Sequence, residues 1–351
     1  MKEVRLGRTN LKVKNLGFGG IPIQRVSEED AVEVVRRCYE LGINYYDTAR
    51  GYSVSEERMG IALQDVRDEV VLATKSGRRT AKELWDELKT SLRNLRTDRI
   101  DVYQLHNVSD VETWKKIKAP GGALEALYRA KDEGLIDHLG ITSHDPGVLA
   151  DIVKEGIFET IMIPYNYLTI IPEEVLLPRC KEMDVATISM KPFGGGVFSN
   201  ANTALKFVLG SGRVDITIPG MMTIEEVEEN VAVSSGDISL STAEYELIEK
   251  DKVELGNQFC RACGYCQPCP QEIPITFVLR AEGQFIKRMG WREGLEDRLQ
   301  NVIEKADTCI ECGDCEGRCP YHLPIRELLK ESSSSLTRLL ESRKSEPASS
   351  P

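Results

Sequence analysis

Residues 43–52 read INYYDTARGY: a run of β-branched and aromatic side chains, an aspartate at its end, then a turn carrying Arg50, Gly51 and Tyr52. A run of this kind, bounded by turn residues, reads as a strand. Upstream, Ser27-Glu28-Glu29-Asp30 has the form of a helix-capping box, and Ala31, Val34, Val35, Cys38 and Leu41 follow at helical spacing. The same alternation recurs along the chain. Strand candidates lie at 15–20, 43–49, 70–76, 100–106, 137–143, 160–166, 185–192 and 214–220. Asp145-Pro146 opens one intervening helix as N-cap and first-turn proline, and Thr223 with Glu226 opens another. Eight strands, each followed by a helix within about 235 residues, predict an α/β fold, a (β/α)8 TIM barrel. An open doubly wound sheet is the alternative, and the count of eight and the lack of GxGxxG after the first strand weigh against it. Residues 1–14 read as a hairpin capping the barrel floor.

The chain has 351 residues and a net charge of -11, so it offers no basic face to a nucleic acid. The N-terminal MKEVRLGRTN has no apolar signal core, and no apolar run approaches the ~20 residues needed to span a bilayer. A cytoplasmic protein without membrane partners is expected. The barrel is expected over 1–250 and a cysteine-rich domain over 251–330, with helix-like segments at 275–290 and 295–306. The tail, 331–351, reads as disordered for want of apolar residues.

In a barrel of this type the C-terminal strand ends face the active site. Asp47 ends the second strand, with Tyr52 just beyond it; Lys75 ends the third and His106 the fourth. A phenol with a pKa of ~10 is a poor proton donor at neutral pH, and a neighbouring ammonium stabilises its phenolate. An aspartate holds the lysine, and a histidine polarises a carbonyl. The four together suit protonation of a carbonyl oxygen while hydride reaches carbon. Each alone is as readily a salt-bridging loop anchor.

At these residues the chain resembles the aldo-keto reductase family, through Asp47-Thr48-Ala49-Arg50-Gly51-Tyr52, Ser55-Glu56, Gly60, Thr74-Lys75 and Gln104-Leu105-His106. The resemblance spans residues 1–235. It implies NAD(P)H-dependent reduction of a small-molecule carbonyl substrate, with Tyr52 as general acid, Lys75 and Asp47 tuning it and His106 orienting the substrate. It implies further that Ser143, His144, Met162 and Met190 line the nicotinamide position, and that Gly194 and Gly195, within Lys191–Gly196, approach the pyrophosphate. At the adenosine end the corresponding positions are Gly220, Glu226, Glu229 and Asn230. Glu226 stands where NADPH-using relatives carry arginine, and a carboxylate there favours a free ribose hydroxyl over a 2′-phosphate. Completing the capping box with Thr223 is an equal reading of the same residue.

Ten cysteines include two isolated ones, Cys38 and Cys180, which read as small buried hydrophobes. The other eight form two runs, Cys260, Cys263, Cys266, Cys269 and Cys309, Cys312, Cys315, Cys319, each closing in Cys-Pro. Three thiolates spaced C-x2-C-x2-C wrap three corners of a cubane; zinc, which takes cysteine pairs from separate knuckles, is the alternative. The runs resemble two-cluster bacterial ferredoxins and the helical ferredoxin-like domains of redox subunits. That resemblance implies two [4Fe–4S] clusters with crossed ligation: Cys260, Cys263, Cys266 and Cys319 on one, Cys309, Cys312, Cys315 and Cys269 on the other. The shorter spacing before Cys269 leaves one cluster with spare thiols as an alternative.

Three functions follow. The chain is a carbonyl reductase with structural or redox-sensing clusters; or its clusters exchange electrons with a ferredoxin-like redox partner and the barrel is a docking or accessory module; or the barrel is a scaffold in a larger complex. The rim quartet favours the first over the third, since a scaffold has no use for it, and leaves the first and second open.

Overall fold

The computed structural model describes residues 1–198, 200–256, 258–261, 264–287, 291, 294–319 and 321–345. The chain divides into two units, Met1–Ile248 and Glu249–Pro351.

In the first unit a short hairpin, β1 (Glu3–Arg5) and β2 (Lys12–Lys14), is antiparallel. Among the described residues eight further strands form one parallel sheet in sequence order: β3 (Phe18–Gly19), β4 (Tyr45–Asp47), β5 (Val71–Ser76), β6 (Ile100–Leu105), β7 (Ile136–Thr142), β8 (Thr160–Pro164), β9 (Ala186–Met190) and β10 (Ile216–Thr217). Seven fall within strands expected from the sequence, and β7 begins one residue before its expected start at 137. Parallel bridges Leu16↔Thr217 and Gly19↔Gly220 join first strand to last, so the sheet closes into a barrel rather than ending in open edges. Closure needs glycine at 19, where a Cβ would lie 2.8 Å from the Ile218 carbonyl oxygen. The hairpin plugs the floor: Leu6 and Val13 are buried in the barrel interior, and Arg8 N donates to the Asp184 carbonyl at 2.7 Å, just before β9.

Helices cover the outside: α1 (Glu28–Glu40), α2 (Ser55–Leu63), α3 (Ala81–Asn94), α4 (Val111–Lys118), α5 (Ala123–Asp132), α6 (Pro146–Val153), α7 (Leu176–Glu182), α8 (Ala201–Gly210) and α9 (Ile224–Ser235); α10 (Thr242–Gly256) runs from the first unit into the second. The expected caps form: Ser27 accepts from Asp30 N, Asp145 from Gly147 N and Val148 N, and Thr223 from Glu226 N. Strand side chains alternate between two apolar layers. Tyr45, Ala73, Val102, Met162, Ala186, Ile188 and Ile216 fill the barrel, while Tyr46, Leu72 and Tyr103 face the helices. With period 2, the inward face of Tyr45, Ala73 and Val102 continues to Asp47, Lys75 and Gln104 at the rim.

The second unit is helical: α11 (Ile275–Val278), a π-helical segment Ala281–Lys287, α12 (Leu295–Asp307), α13 (Asp314–Gly317) and α14 (Ile325–Ser345). The expected helix at 275–290 is therefore broken. The expected disordered tail is also corrected, since α14 runs to Ser345; residues 346–351 lie outside the described residues. Leu329, Leu336 and Leu340 recur at three- to four- and seven-residue spacing and are buried, which is why a serine-rich segment is helical: packing of an apolar stripe outweighs weak propensity.

This unit contains an internal repeat. CPQEIPI (269–275) and CPYHLPI (319–325) both lead into a helix, α11 and α14. Glu272 and His322, at matching places, both have positive φ (54° and 51°), as do Gly264 and Gly313 (87° and 79°). Glu272 N donates to the Cys269 carbonyl as His322 N donates to that of Cys319. Two copies of one loop design face each other across a shared apolar core.

Candidate active site and cysteine cavities

Asp47, Lys75 and His106 come to one rim because β4, β5 and β6 are neighbours in register: Asp47 pairs with Ala73 and Lys75 with Gln104. Lys75 Nζ donates to Asp47 Oδ2 at 2.5 Å and to the Thr48 carbonyl at 2.5 Å. It also lies 4.9 Å from the centre of the half-buried Tyr52 ring, and that ring meets His106 edge-on at 5.8 Å. All four expected catalytic residues are thus brought together.

The electrostatics follow from burial. Desolvation lowers the Lys75 ammonium's pKa, but Asp47 and the Tyr52 phenol outweigh it and hold the group above the ordinary lysine value. Burial pushes the Asp47 carboxyl up while Lys75 and Gln104 pull against it. For Tyr52 the outcome differs from the sequence expectation. Burial raises the phenol's pKa, Lys75 lowers it, Asp47 adds to the rise, and the net direction is upward. His106 is held down to about 3 by burial, with Lys75 and Arg79 adding to the effect, so its imidazole is neutral at ordinary pH.

Three further side chains support the quartet. Gln104 Nε2 donates to Asp47 Oδ1 at 2.9 Å; its signal in the sequence is its position two residues before His106, on the same strand face. Arg79 Nη2 donates to the carbonyls of His106 (2.7 Å) and Asn107 (2.9 Å), fixing the turn that presents the imidazole. Glu56, with no solvent exposure, pairs with Arg50 at 2.5 Å and accepts from Thr74 (2.8 Å) and Asn94 (3.1 Å). It ties the Tyr52 loop to the outward face of β5. Nothing in the sequence shows these last two partnerships.

Of the expected cofactor positions, Ser143, Met190 and Gly220 end or follow β7, β9 and β10, Glu226, Glu229 and Asn230 lie on α9, and Met162 is buried among the barrel's interior apolar residues. Ser143 is buried after β7, its Oγ accepting from Asp145 N at 2.9 Å, and His144 follows it. Met190 ends β9. Lys191, Gly194, Gly195 and Gly196 all have positive φ, and a Cβ on Gly194 would meet the Phe198 ring at 2.7 Å, so glycine at 194 lets this turn pack against Phe198. Gly220 follows β10, with Glu229 exposed and Asn230 buried on α9. Glu226 N is capped by Thr223, and the Glu226 Oε2 accepts from Met222 N, one residue before the N-cap, at 2.7 Å: the carboxylate helps close the helix start in a variant of the expected capping box.

In the second unit the cysteines line two cavities. One is lined by Cys309, Cys312 and Cys315 together with Cys269 from the other run. The second is lined by Cys260, Cys266 and, again from the opposite run, Cys319. Cys263 lies outside the described residues. Ile275 forms a wall of both cavities. Among the described residues no three His, Cys, Asp or Glu side chains converge tightly enough to hold a single metal ion. Three thiols of one run around a cavity with one from the other run suit a polynuclear cluster. Cys38 and Cys180 are buried, and burial pushes their thiols well up, as inert core cysteines require.

Comparison with known proteins agrees with this geometry. The aldo/keto reductase family matches residues 15–204, and a 4Fe-4S dicluster domain matches 259–324. The uncharacterized oxidoreductase YqkF of Bacillus subtilis is 31% identical over 213 residues, covering 57% of this chain and 67% of that protein. L-galactose dehydrogenase of Arabidopsis thaliana is 28% identical over 301 residues, covering 71% of this chain and 92% of that protein. Among solved structures, the holo form of aldo-keto reductase AKR11C1 from Bacillus halodurans superposes with a TM-score of 0.62 at 29% identity, covering 71% of this chain and 96% of that one. With the barrel, the rim quartet and these matches in agreement, the chain belongs to the aldo/keto reductase family and carries a 4Fe-4S dicluster domain at its C-terminal end.

Proposed function

We propose that the barrel is an NAD(P)H-dependent carbonyl reductase with Tyr52 as general acid. The observation that carries this reading is the buried Lys75–Asp47 pair beneath the Tyr52 ring, with a neutral His106 beside it. A bound nicotinamide supplies hydride to the carbonyl carbon. Tyr52 gives its hydroxyl proton to the carbonyl oxygen, and the phenolate left behind is stabilised by the Lys75 ammonium, itself anchored by Asp47. His106, uncharged, orients the oxygen through a hydrogen bond and carries no proton of its own into the reaction. Ser143, His144 and the 191–196 loop would hold the cofactor. With Gly220 and Glu226 where a 2′-phosphate would need cations, NADH is the better donor; the kcat/KM ratio for NADH against NADPH tests this. Tyr52→Phe should abolish carbonyl reduction while iron content stays unchanged, and persisting turnover would refute the assignment.

The second unit, on this reading, holds two [4Fe–4S] clusters with crossed ligation, Cys260, Cys263, Cys266 and Cys319 on one and Cys309, Cys312, Cys315 and Cys269 on the other. Its support is the mixing of runs at both cavities. Anaerobic preparations should contain about eight iron and eight acid-labile sulfide per chain. A second reading, electron exchange with a ferredoxin-like carrier, is favoured by exposure of Cys312 and of Ile310 beside it. Reduction of the clusters by such a carrier without nicotinamide tests it.

A further inference from the structure

The repeat in the second unit makes its two cysteine cavities comparable position by position, and their linings differ in where the cations stand. The residue after the first cysteine is Arg261 in one run and Ile310 in the other. Ile310 is 60% exposed and Cys312 is exposed with it. Arg261 is 8% exposed, as are Cys260, Cys266 and Cys319 to within two points of that value. Its guanidinium lies 4.0 Å from the centre of the Tyr321 ring, and both residues line the cavity. The site of Cys309, Cys312 and Cys315 is the more exposed, although its Cys315 is buried, and guanidiniums line both: Arg318 and Arg326 at the exposed site, where Arg326 is paired with Glu316 at 2.8 Å, and Arg261 at the shielded one.

An iron–sulfur cluster held by four thiolates is a net anion, and one-electron reduction adds a further negative charge. Burial resists that charge and depresses the potential. At the exposed site solvent compensates. We infer that Arg261 is the counter-ion of the shielded site: its guanidinium holds up the reduction potential of the cluster bound by Cys260, Cys266 and Cys319 against the effect of burial. Tyr321 is the platform that fixes the guanidinium there. This inference rests on the two-cluster reading above, and Arg261 acts as a positioning charge rather than a ligand.

The test is a mediated redox titration of the anaerobically prepared full-length holoprotein, followed by electron paramagnetic resonance, each wave being the uptake of one electron with no bond made or broken. Arg261→Gln should lower one wave by on the order of tenfold in the reduction equilibrium constant, about 59 mV for a one-electron couple, and leave the other in place. Arg261→Lys, which keeps the charge, should restore most of that shift. Ile310→Arg, exposed and screened, should move only the other wave, and by less. Two waves that Arg261→Gln moves alike, or not at all, overturn the inference and spare the two-cluster reading. A single wave with about four iron per chain refutes that reading, and the inference falls with it. Should Arg261→Gln fail to retain iron, Arg261→Lys decides: native iron and near-native waves support a role of charge, and a second loss of iron shows a role in packing alone.

Discussion

Lys75 Nζ sits 2.5 Å from Asp47 Oδ2 with both side chains sealed from solvent. Removing one partner of a buried pair leaves the other uncompensated, at a cost of about 3–5 kcal/mol. Lys75→Met should therefore lower the barrel's stability by about that amount in urea unfolding and bring carbonyl reduction to background. Lys75→Met combined with Asp47→Asn should recover most of the stability and none of the activity. A double variant as unstable as the single one would show that the pair is not the source of the loss.

The pH profile of carbonyl reduction separates the roles of Tyr52 and His106. A phenol raised by burial stays protonated beyond the ordinary tyrosine value of ~10, so the alkaline limb should lie above it. His106, held down to about 3, should give no limb between pH 5 and 8. Because its folded-state pKa is depressed, its contribution to stability is present above the unfolded value of ~6.5 and lost as pH falls toward 3. His106→Asn should remove that loss; an acid limb near pH 6.5 in the wild type would contradict the assignment.

Glu56 has no exposure and three partners from separate elements. Glu56→Ala leaves Thr74 and Asn94 without their acceptor and Arg50 without its counter-charge, which should cost about 2–4 kcal/mol. Because Arg50 lies between Asp47 and Tyr52 in the loop, kcat should fall more than stability alone explains. Measuring kcat well below the unfolding temperature checks this.

Ending the chain after Lys330 removes Leu336 and Leu340, both buried. At about 1.5–3 kcal/mol per buried leucine, the second unit should lose several kcal/mol and fail to retain iron, while the barrel's carbonyl reduction persists. Full iron in the truncated protein would show the last turns of α14 to be dispensable.

The eight strands and the rim quartet are legible in the sequence because period-2 alternation and the strand-end rule place Asp47, Lys75 and His106 without any packing information. Arg79 and Glu56 are not legible, because their partners are backbone carbonyls and side chains distant in the chain. The direction of the Tyr52 shift escapes for a related reason: which of two opposing effects wins depends on depth of burial. Composition misleads at α14, where four consecutive serines hide a buried leucine stripe, and in the 275–290 segment, where a uniform helical pattern conceals a break.

Because each cysteine cavity borrows a residue from the opposite loop, neither copy of the repeat lines a site by itself. A lone ancestral copy would have had to meet its twin as a separate chain, and gene duplication with fusion would have turned that encounter into an intramolecular one. The two sites then share a fate: cleavage of the polypeptide between residues 269 and 309 would strand a ligand from both at once.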